Sequence, residues 1–285
     1  MNNQKKVLIT GATGFIGRAA VEALEYTGWG VVKASRSVKL SSEEGFIYLD
    51  ISSPEKIMAL ANEYHFDAIV HLAGMVDFSN DAESELFIPN VLSTGCLAYL
   101  AKLWGAHLIY ASTAIVHGAK NENIKSDSPI NPDTAYAKSK WLGEQLILSA
   151  KIKYCILRIV GVFGCDASSH LGLNRAIDEA IKGEPPVQIG TGVAIRNYIY
   201  VKDVALAIQF ALDKHLEGIH LLAGQEITSI TEMLQQICDE FLPGSHPIMV
   251  DGALASNQIV MPSSALPETR KFNEALIDIK NECNE

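Results

Sequence analysis

The sequence predicts an α/β fold, a doubly wound parallel sheet with a smaller C-terminal lobe. Short β-branched runs alternate with longer helical patterns from the first residues onward, and a glycine-rich turn directly follows the first run. The pattern changes after Gly164, where a loop rich in small residues begins. We therefore place the sheet domain at residues 1–164 and the C-terminal lobe at 165–285, with about 197–226 returning to the sheet domain.

The individual elements follow from these patterns and from the glycine or polar turns between them. The predicted strands are Lys6–Thr10, Gly30–Ser35, Phe46–Asp50, Asp67–Leu72, His107–Ala111 and Tyr154–Ile159. The predicted helices lie near Phe15–Thr27, Pro54–Tyr64, Ser84–Trp104 and Ala135–Ala150, with a final helix over Thr269–Ile279.

The composition indicates a globular protein and disfavours several partners. Apolar residues make up 48% of the chain and charged residues 20%, so burial can offset the entropy lost on folding. The formal net charge of -10, without a Lys/Arg cluster, disfavours nucleic acid. No apolar run approaches the ~20 residues that span a bilayer, so we expect no membrane association and a cytoplasmic location. The five scattered cysteines and eight histidines lack metal-site spacing, which predicts reduced thiols and no metal.

The glycine-rich turn indicates a dinucleotide site of the Rossmann type. Gly11, Gly14 and Gly17 follow the first strand, and a helix then begins. Glycines let the backbone approach a pyrophosphate, which the N–H groups and the dipole of the helix N-terminus stabilise. The alternative is a tight strand-to-helix turn without a ligand; the position after the first strand favours cofactor binding. The predicted contacts are Gly11, Thr13, Gly14, Phe15, Ile16 and Gly17.

Tyr136 and Lys140 are predicted to form a proton-transfer pair. They are four residues apart on a predicted helix and therefore share a face. A phenol, with its ordinary pKa near ~10, needs an adjacent positive charge to act as acid or base near neutrality. Lys140 and an oxidised nicotinamide would both supply that charge. Tyr198 and Lys202 have the same spacing but lie in an alternating apolar run predicted to be extended, so we interpret them as structural.

Two hydroxyls, Ser112 and Thr113, follow the strand His107–Ala111. Folds of this class bind ligands at the carboxyl edge of the sheet, where a hydroxyl can polarise a carbonyl. The alternative is a strand-end cap or turn. We interpret Ser112 as the cap and Thr113 as the functional hydroxyl.

Together these motifs resemble the extended short-chain dehydrogenase family, which includes nucleotide-sugar epimerases, dehydratases and ketoreductases. The segments that carry the resemblance are Gly11–Gly17, His71–Gly74, Ser112–Thr113 with Val116–Gly118, Tyr136–Lys140, Leu157–Arg158 with Val162–Gly164, and Arg196–Val204. The resemblance extends to about residue 240.

The resemblance implies roles for individual residues. Thr113, Tyr136 and Lys140 would form the catalytic triad, and Lys140 would also hold the nicotinamide ribose. Further cofactor contacts would come from Asp50 and Ile51 at the adenine, Leu72, Ala73 and Gly74 beside the pyrophosphate, and Asn90 on a helix near the cofactor. The substrate would meet Ser112, Thr113, His117 and Arg196. His71 is interpreted as a packed strand residue.

Two charged residues, Arg196 and Arg36, each have a functional interpretation and an alternative. Arg196 matches an arginine that approaches the substrate diphosphate, because a guanidinium can grip phosphate with two bonds; the alternative is a salt bridge, for example with Asp203. Ser35 stands where many members have an acidic residue on the adenosine ribose, and Arg36 follows it. Arginine attracts a 2′-phosphate, so NADP is favoured over NAD, unless Arg36 is only a solvated turn residue.

The predicted reaction is hydride transfer between NAD(P) and a secondary alcohol or ketone of a nucleotide-linked sugar. Epimerase and ketoreductase activity both remain open, and His117, in place of a tyrosine in the pocket wall, leaves the sugar open. A 4,6-dehydratase is disfavoured because that class has Asp and Glu after the threonine, where this chain has Ala114 and Ile115. The rival hypothesis is a non-catalytic NAD(P)-binding regulatory or assembly protein. Family members often dimerise through two helices, which allows a homodimer here.

Overall fold

The computed structural model describes residues 4–37, 43–79, 83–167, 171–253 and 255–283. The chain divides into two compact units. The first comprises Met1–Ala119, Pro129–Arg158 and Val204–His220, and the second comprises Lys120–Ser128, Ile159–Asp203 and Leu221–Glu285. Relative to the boundaries predicted above, residues 120–128 and 159–164 belong to the second unit, and the segment that returns to the first unit is 204–220.

The strands and helices alternate along the first half of the chain. The strands are β1 (Lys6–Thr10), β2 (Gly30–Ser35), β3 (Phe46–Tyr48), β4 (Ala68–His71), β5 (His107–Thr113), β6 (Asn123–Ile124), β7 (Tyr154–Ile159), β8 (Val162–Phe163), β9 (Val187–Ile189), β10 (Ile195–Arg196), β11 (Ile199–Tyr200), β12 (Gly218–Leu222), β13 (Thr228–Ser229), β14 (Ile248–Val250) and β15 (Ile259–Val260). The helices are α1 (Phe15–Tyr26), α2 (Pro54–Glu63), α3 (Glu83–Leu86), α4 (Ser93–Trp104), α5 (Ala135–Ala150), α6 (Gly172–Ile181), α7 (Val201–Asp213), α8 (Ile230–Phe241) and α9 (Phe272–Cys283).

A seven-stranded sheet in the order β12-β7-β5-β4-β1-β2-β3 forms the centre of the fold. Strand β1 pairs in parallel with β2 on one side and with β4 on the other. The direction of winding therefore reverses between β1 and β4, and ligands of such sheets bind at the carboxyl ends of the strands beside this switch point. The predicted Rossmann-like α/β fold is confirmed.

Buried apolar side chains join the sheet to its helices. Leu8, Ile69 and Leu108 on neighbouring strands belong to one core cluster with Leu97 and Trp104 of α4. Each of these strand residues is fully buried, and burying a leucine or isoleucine contributes about 1.5–3 kcal/mol. The core thus fixes the strand ends from which the site is built.

The helical stretch Glu83–Trp104 differs from its prediction in two ways. By length and mean hydropathy alone it could cross a membrane, contrary to the expectation that no such run exists; half of its most apolar window is buried inside the protein, as in the core helix of many proteins. It is also interrupted, because a π-helix over Phe87–Leu92 separates α3 from α4. Pro89 lies in that π-helix and has no N–H to donate to a regular α-helical ladder.

The second unit consists of short strand pairs and helices. Strand β8 pairs in parallel with β11, and β6 with β15, while β10 and β13 are antiparallel. The run around Tyr198, predicted to be extended throughout, is extended only up to Tyr200, because α7 begins at Val201 and includes Lys202.

Candidate active site

The glycine turn between β1 and α1 requires glycine at two positions for steric reasons. Gly11 has φ +72°, and a Cβ on it would lie 2.7 Å from the backbone nitrogen of Ala73. A Cβ on Gly17 would lie 2.0 Å from the carbonyl oxygen of Gly11. The turn therefore packs against the loop after β4 and against the first turn of α1, with no room for side chains.

The N-terminus of α1 has the properties of an anion site. Gly14 is the N-cap and supplies no side-chain cap, and the first turn contains no acidic residue. The N–H groups of Phe15 and Ile16 belong to this first turn, where a helix has no internal acceptors for them. Thr13 and Gly14 are exposed, and a Cβ on Gly14 would come within 4 Å of only the Gly11 carbonyl oxygen, at 3.2 Å. These residues fit a dinucleotide pyrophosphate.

The residues predicted for the adenosine end lie where β2 and β3 finish. Ser35, at the end of β2, is buried and its Oγ accepts from Ser37 N at 3.1 Å. Arg36 follows it and is exposed. Asp50 Oδ1 accepts from Ser52 N at 3.0 Å, and Ile51 packs against the main core cluster.

The three predicted catalytic residues come from β5 and α5 of the first unit. Thr113 is the last residue of β5, and its Oγ1 accepts from Ile115 N at 3.4 Å, so the capping role considered for Ser112 falls to Thr113. The Thr113 hydroxyl keeps its own proton to donate. Tyr136 and Lys140 share a face of α5, which starts at an N-cap, Thr134, whose side chain accepts from the nitrogen of Ala137.

Burial dominates the pKa values of this pair. It lowers the pKa of Lys140 to about 7, against the opposing effect of the Glu144 carboxylate. It raises the pKa of Tyr136 to about 12, the opposite of the lowering expected from Lys140. The Lys140 ammonium instead lies 4.2 Å from the ring centroid of Tyr110. Lowering the pKa of Tyr136 thus needs a further positive charge, which an oxidised nicotinamide carries.

Asn90 positions the loop after β4. Its Oδ1 accepts from Met75 N at 2.8 Å, and its Nδ2 donates to Met75 O at 2.8 Å and to Ser139 Oγ at 2.9 Å. A Cβ on Gly74 would lie 2.9 Å from Asn90 Oδ1, so the loop and the amide are in close contact. Asn90 therefore joins this loop to α5 through bonds that use both ends of its amide.

Beneath the predicted triad lies a buried polar cluster that the sequence did not reveal. Ser112 Oγ donates to Glu144 Oε1 at 2.5 Å, and Arg158 binds the same carboxylate in a bidentate manner at 3.1 and 2.7 Å. Arg158 Nη1 also donates to His117 Nε2 at 2.9 Å. Since the guanidinium can only donate, His117 carries its proton on Nδ1 and donates it to Pro129 O at 3.1 Å. The cluster ties β5, α5 and β7 together.

Two residues predicted to contact the substrate, Ser112 and His117, are members of this buried cluster. His117 is buried, and both of its ring nitrogens bond inside the protein. The Ser112 hydroxyl is directed at Glu144. His71, interpreted above as a packed strand residue, is likewise fully buried, and its ring nitrogens lie 2.7 Å from Thr10 Oγ1 and 3.1 Å from Thr94 Oγ1.

Arg196 lies in the second unit, half-buried on β10. Its guanidinium donates to Ser256 O at 3.0 Å and to Gln258 Oε1 at 3.4 Å. The alternative of a salt bridge with Asp203 is wrong, because Asp203 accepts from both the backbone and the side chain of Arg270.

The sheet, the switch point and the uncapped glycine turn define a dinucleotide-binding α/β protein. The model of the NAD dependent epimerase/dehydratase family matches residues 7–224, and the chain belongs to this family. The resemblance seen in the sequence is thereby confirmed.

The chain is also similar to individual proteins in sequence and in structure. The chain is 29% identical to a putative UDP-glucose 4-epimerase of Methanocaldococcus jannaschii over 82% of either protein. It is 30% identical to methionine adenosyltransferase 2 subunit beta of Bos taurus over 85% of this chain and 74% of that protein. The structure of the Bordetella bronchiseptica enzyme WbmH in complex with NAD+ has the same fold, with a TM-score of 0.83 and 22% identity over 99% of both chains. The chain is an NAD(P)-dependent enzyme of the epimerase/reductase type.

Proposed function

We propose that this enzyme transfers a hydride between NAD(P) and a secondary alcohol or ketone of a nucleotide-linked sugar, as an epimerase or 4-ketoreductase. The observation that carries the proposal is the arrangement of Tyr136 and Lys140 on one face of α5, with the Thr113 hydroxyl at the end of β5 in the same unit as the glycine turn. Tyr136 passes the proton to or from the sugar oxygen, and Thr113 donates a hydrogen bond to that oxygen.

The cofactor site is proposed from the residues around the switch point. The bound dinucleotide supplies the hydride acceptor or donor. The turn residues Gly11 to Gly17 bind its pyrophosphate, and Lys140 holds the nicotinamide ribose. Arg36 is exposed and follows Ser35 at the end of β2, which supports attraction of a 2′-phosphate and hence NADP as the favoured cofactor. Arg196 stays a prediction as a contact of the substrate diphosphate, as do the other residues predicted above for the substrate and the cofactor.

Elimination of water is not part of the proposed reaction. Ala114 and Ile115 follow Thr113, and neither side chain can exchange a proton. A ketone formed at the site is therefore reduced again, to the original alcohol or its epimer, or is supplied from outside.

The test is to incubate the enzyme with UDP- and dTDP-linked hexoses and their 4-keto forms, together with either cofactor, and to analyse the products by mass. Tyr136→Phe should abolish turnover and leave cofactor binding nearly unchanged, because only the transferable proton is lost. Tyr198→Phe is the matched control, because Tyr198 has the same spacing to Lys202 but is interpreted as structural, and it should retain activity. Equal turnover of Tyr136→Phe and wild type contradicts the proposed role, and a product lighter by one water contradicts the exclusion of elimination.

A second candidate role is that of a cofactor-binding subunit in a larger assembly. The name of the bovine relative, a methionine adenosyltransferase subunit, supports it. Cofactor binding without turnover of any nucleotide-linked sugar would favour this role.

A homodimer through α4 and α5 is also proposed. These helices expose Tyr99 and Leu103 on α4 and Leu142 and Leu146 on α5, each at least 36% accessible. Exposed apolar side chains grouped on two helices are typical of a subunit interface. Sedimentation of wild type and a Tyr99→Glu/Leu103→Glu variant tests it: the variant should be monomeric.

A further inference from the structure

Two cysteines that are 118 residues apart in the sequence meet in the second unit. The Sγ atoms of Cys165 and Cys283 lie 3.1 Å apart, and both are free thiols in this structure. A disulfide bond is about 2.05 Å long, so the two sulfurs need to approach each other by about 1 Å to reach bonding distance. We propose that Cys165 and Cys283 are a modification site, a thiol pair that closes reversibly to an intramolecular disulfide.

Both cysteines are held on one scaffold, so their meeting does not depend on a chance orientation of two surface side chains. Cys165 follows β8 by two residues, and Phe163 of β8 pairs with Tyr200 of β11. The Tyr200 hydroxyl donates to Glu282 Oε1 at 2.8 Å, and Glu282 is the neighbour of Cys283. Backbone pairing, this hydrogen bond and the two sulfurs therefore close a ring of contacts.

Further bonds restrain each side of the pair. On the side of α9, Lys202 Nζ lies 2.5 Å from Glu282 Oε1. On the side of Cys165, Asn174 accepts from Gly164 N at 3.3 Å and donates to Val162 O at 3.1 Å. Restraining both partners raises the effective concentration of one thiol beside the other, which favours the intramolecular bond over reaction between molecules.

The chemistry balances with a peroxide as the oxidant. Cys283 is exposed and Cys165 is half-buried, so hydrogen peroxide meets Cys283 first; one peroxide oxygen is transferred to the sulfur to give a sulfenic acid, and the other leaves as water. Burial, with the adjacent Cys283, raises the pKa of Cys165 to about 12, which keeps the Cys165 sulfur in the thiol form that reacts poorly with peroxide. Cys165 sulfur then displaces the hydroxyl group, which leaves with the Cys165 proton as a second water. A dithiol reductant reverses the step.

The disulfide would fasten α9 to the loop after β8. A cross-link over a loop of this length removes much of the freedom of the unfolded chain. We expect the oxidised protein to unfold at a temperature roughly 5–10 °C higher than the reduced protein.

The experiment is to treat the full-length protein with one equivalent of hydrogen peroxide and to map its peptides without reduction. The expected result is a Cys165–Cys283 linked peptide and a raised melting temperature, both reversed by dithiothreitol. Cys165→Ser and Cys283→Ser should lose both effects, and Cys96→Ser, which removes a half-buried cysteine elsewhere, should keep them. The Cys283→Ser change lies at an exposed helix end, so this variant should fold even if Cys165→Ser does not. Peptides joined through other cysteines, disulfides between molecules, or unlinked sulfinic acids at either position would overturn the proposal.

Discussion

Replacing Glu144 by glutamine tests the buried cluster beneath the proposed triad. The Glu144 side chain is fully buried and that of Arg158 is 9% accessible, at 2.7 Å from the carboxylate. Glutamine keeps the shape but leaves the guanidinium without its counter-charge in a medium that solvates it poorly. Breaking a buried pair from one side costs about 3–5 kcal/mol, which should lower the melting temperature by about 10 °C.

Thermal unfolding and urea titration measure this loss, and two further variants define its cause. Glu83 forms an exposed ion pair with Lys138, which lies on the same helix as Glu144. Both side chains of this pair are at least 51% accessible. Glu83→Gln should therefore cost less than about 1 kcal/mol. The double variant Glu144→Gln/Arg158→Met, which removes both charges, should regain much of the loss. If Glu144→Gln is as mild as Glu83→Gln, the electrostatic reasoning is refuted.

Three other predictions concern the cofactor and the lysine. Gly14→Val should abolish cofactor binding in calorimetric titration by filling the space before α1, with little change in melting temperature; unchanged affinity would remove the turn from the site. Arg36→Ala should erode a preference for NADP(H) over NAD(H) by about 1.5–3 kcal/mol, and equal wild-type affinities would contradict the assignment. Because the pKa of Lys140 falls to about 7 on folding, the unfolded chain binds an extra proton between about pH 7 and 10.5. Stability from this group therefore rises with pH across that window, and Lys140→Met should be more stable than wild type at pH 6 and lack the rise; a flat wild-type profile would count against a buried ammonium.

Local signals predicted the elements that surround the cofactor site. Strands β1, β2 and β7 and helix α5 have the predicted bounds, because apolar periodicity and the flanking turns agree for each of them. The glycine spacing likewise located the turn, because Gly11 and Gly17 lie so close to neighbouring backbone atoms that no side chain fits at either position.

The remaining features depend on contacts between distant segments. Glu144 and Arg158 find each other through packing of α5 on β7, which no spacing rule predicts. A signal was nevertheless present: Arg158 is a charged residue inside an apolar strand, and Glu144 continues the face of α5 that carries Tyr136 and Lys140. The rise in the pKa of Tyr136 was missed because the extent of burial follows from tertiary structure.

The π-helix over Phe87–Leu92 makes the position of the Asn90 side chain depend on the number of residues in this segment. A π-helix accommodates one residue more than the α-helix it interrupts, so excising a single residue there would restore a regular helix. The wider turn of the π-helix absorbs the extra residue, so the deletion would leave α3 and α4 in phase and would instead change the direction of side chains within 87–92, by up to the about 100° that one residue adds. The Asn90 amide would then leave Met75, and the loop beside the glycine turn would lose its clamp. A one-residue deletion that removes none of the proposed catalytic residues would thereby act as an active-site mutation.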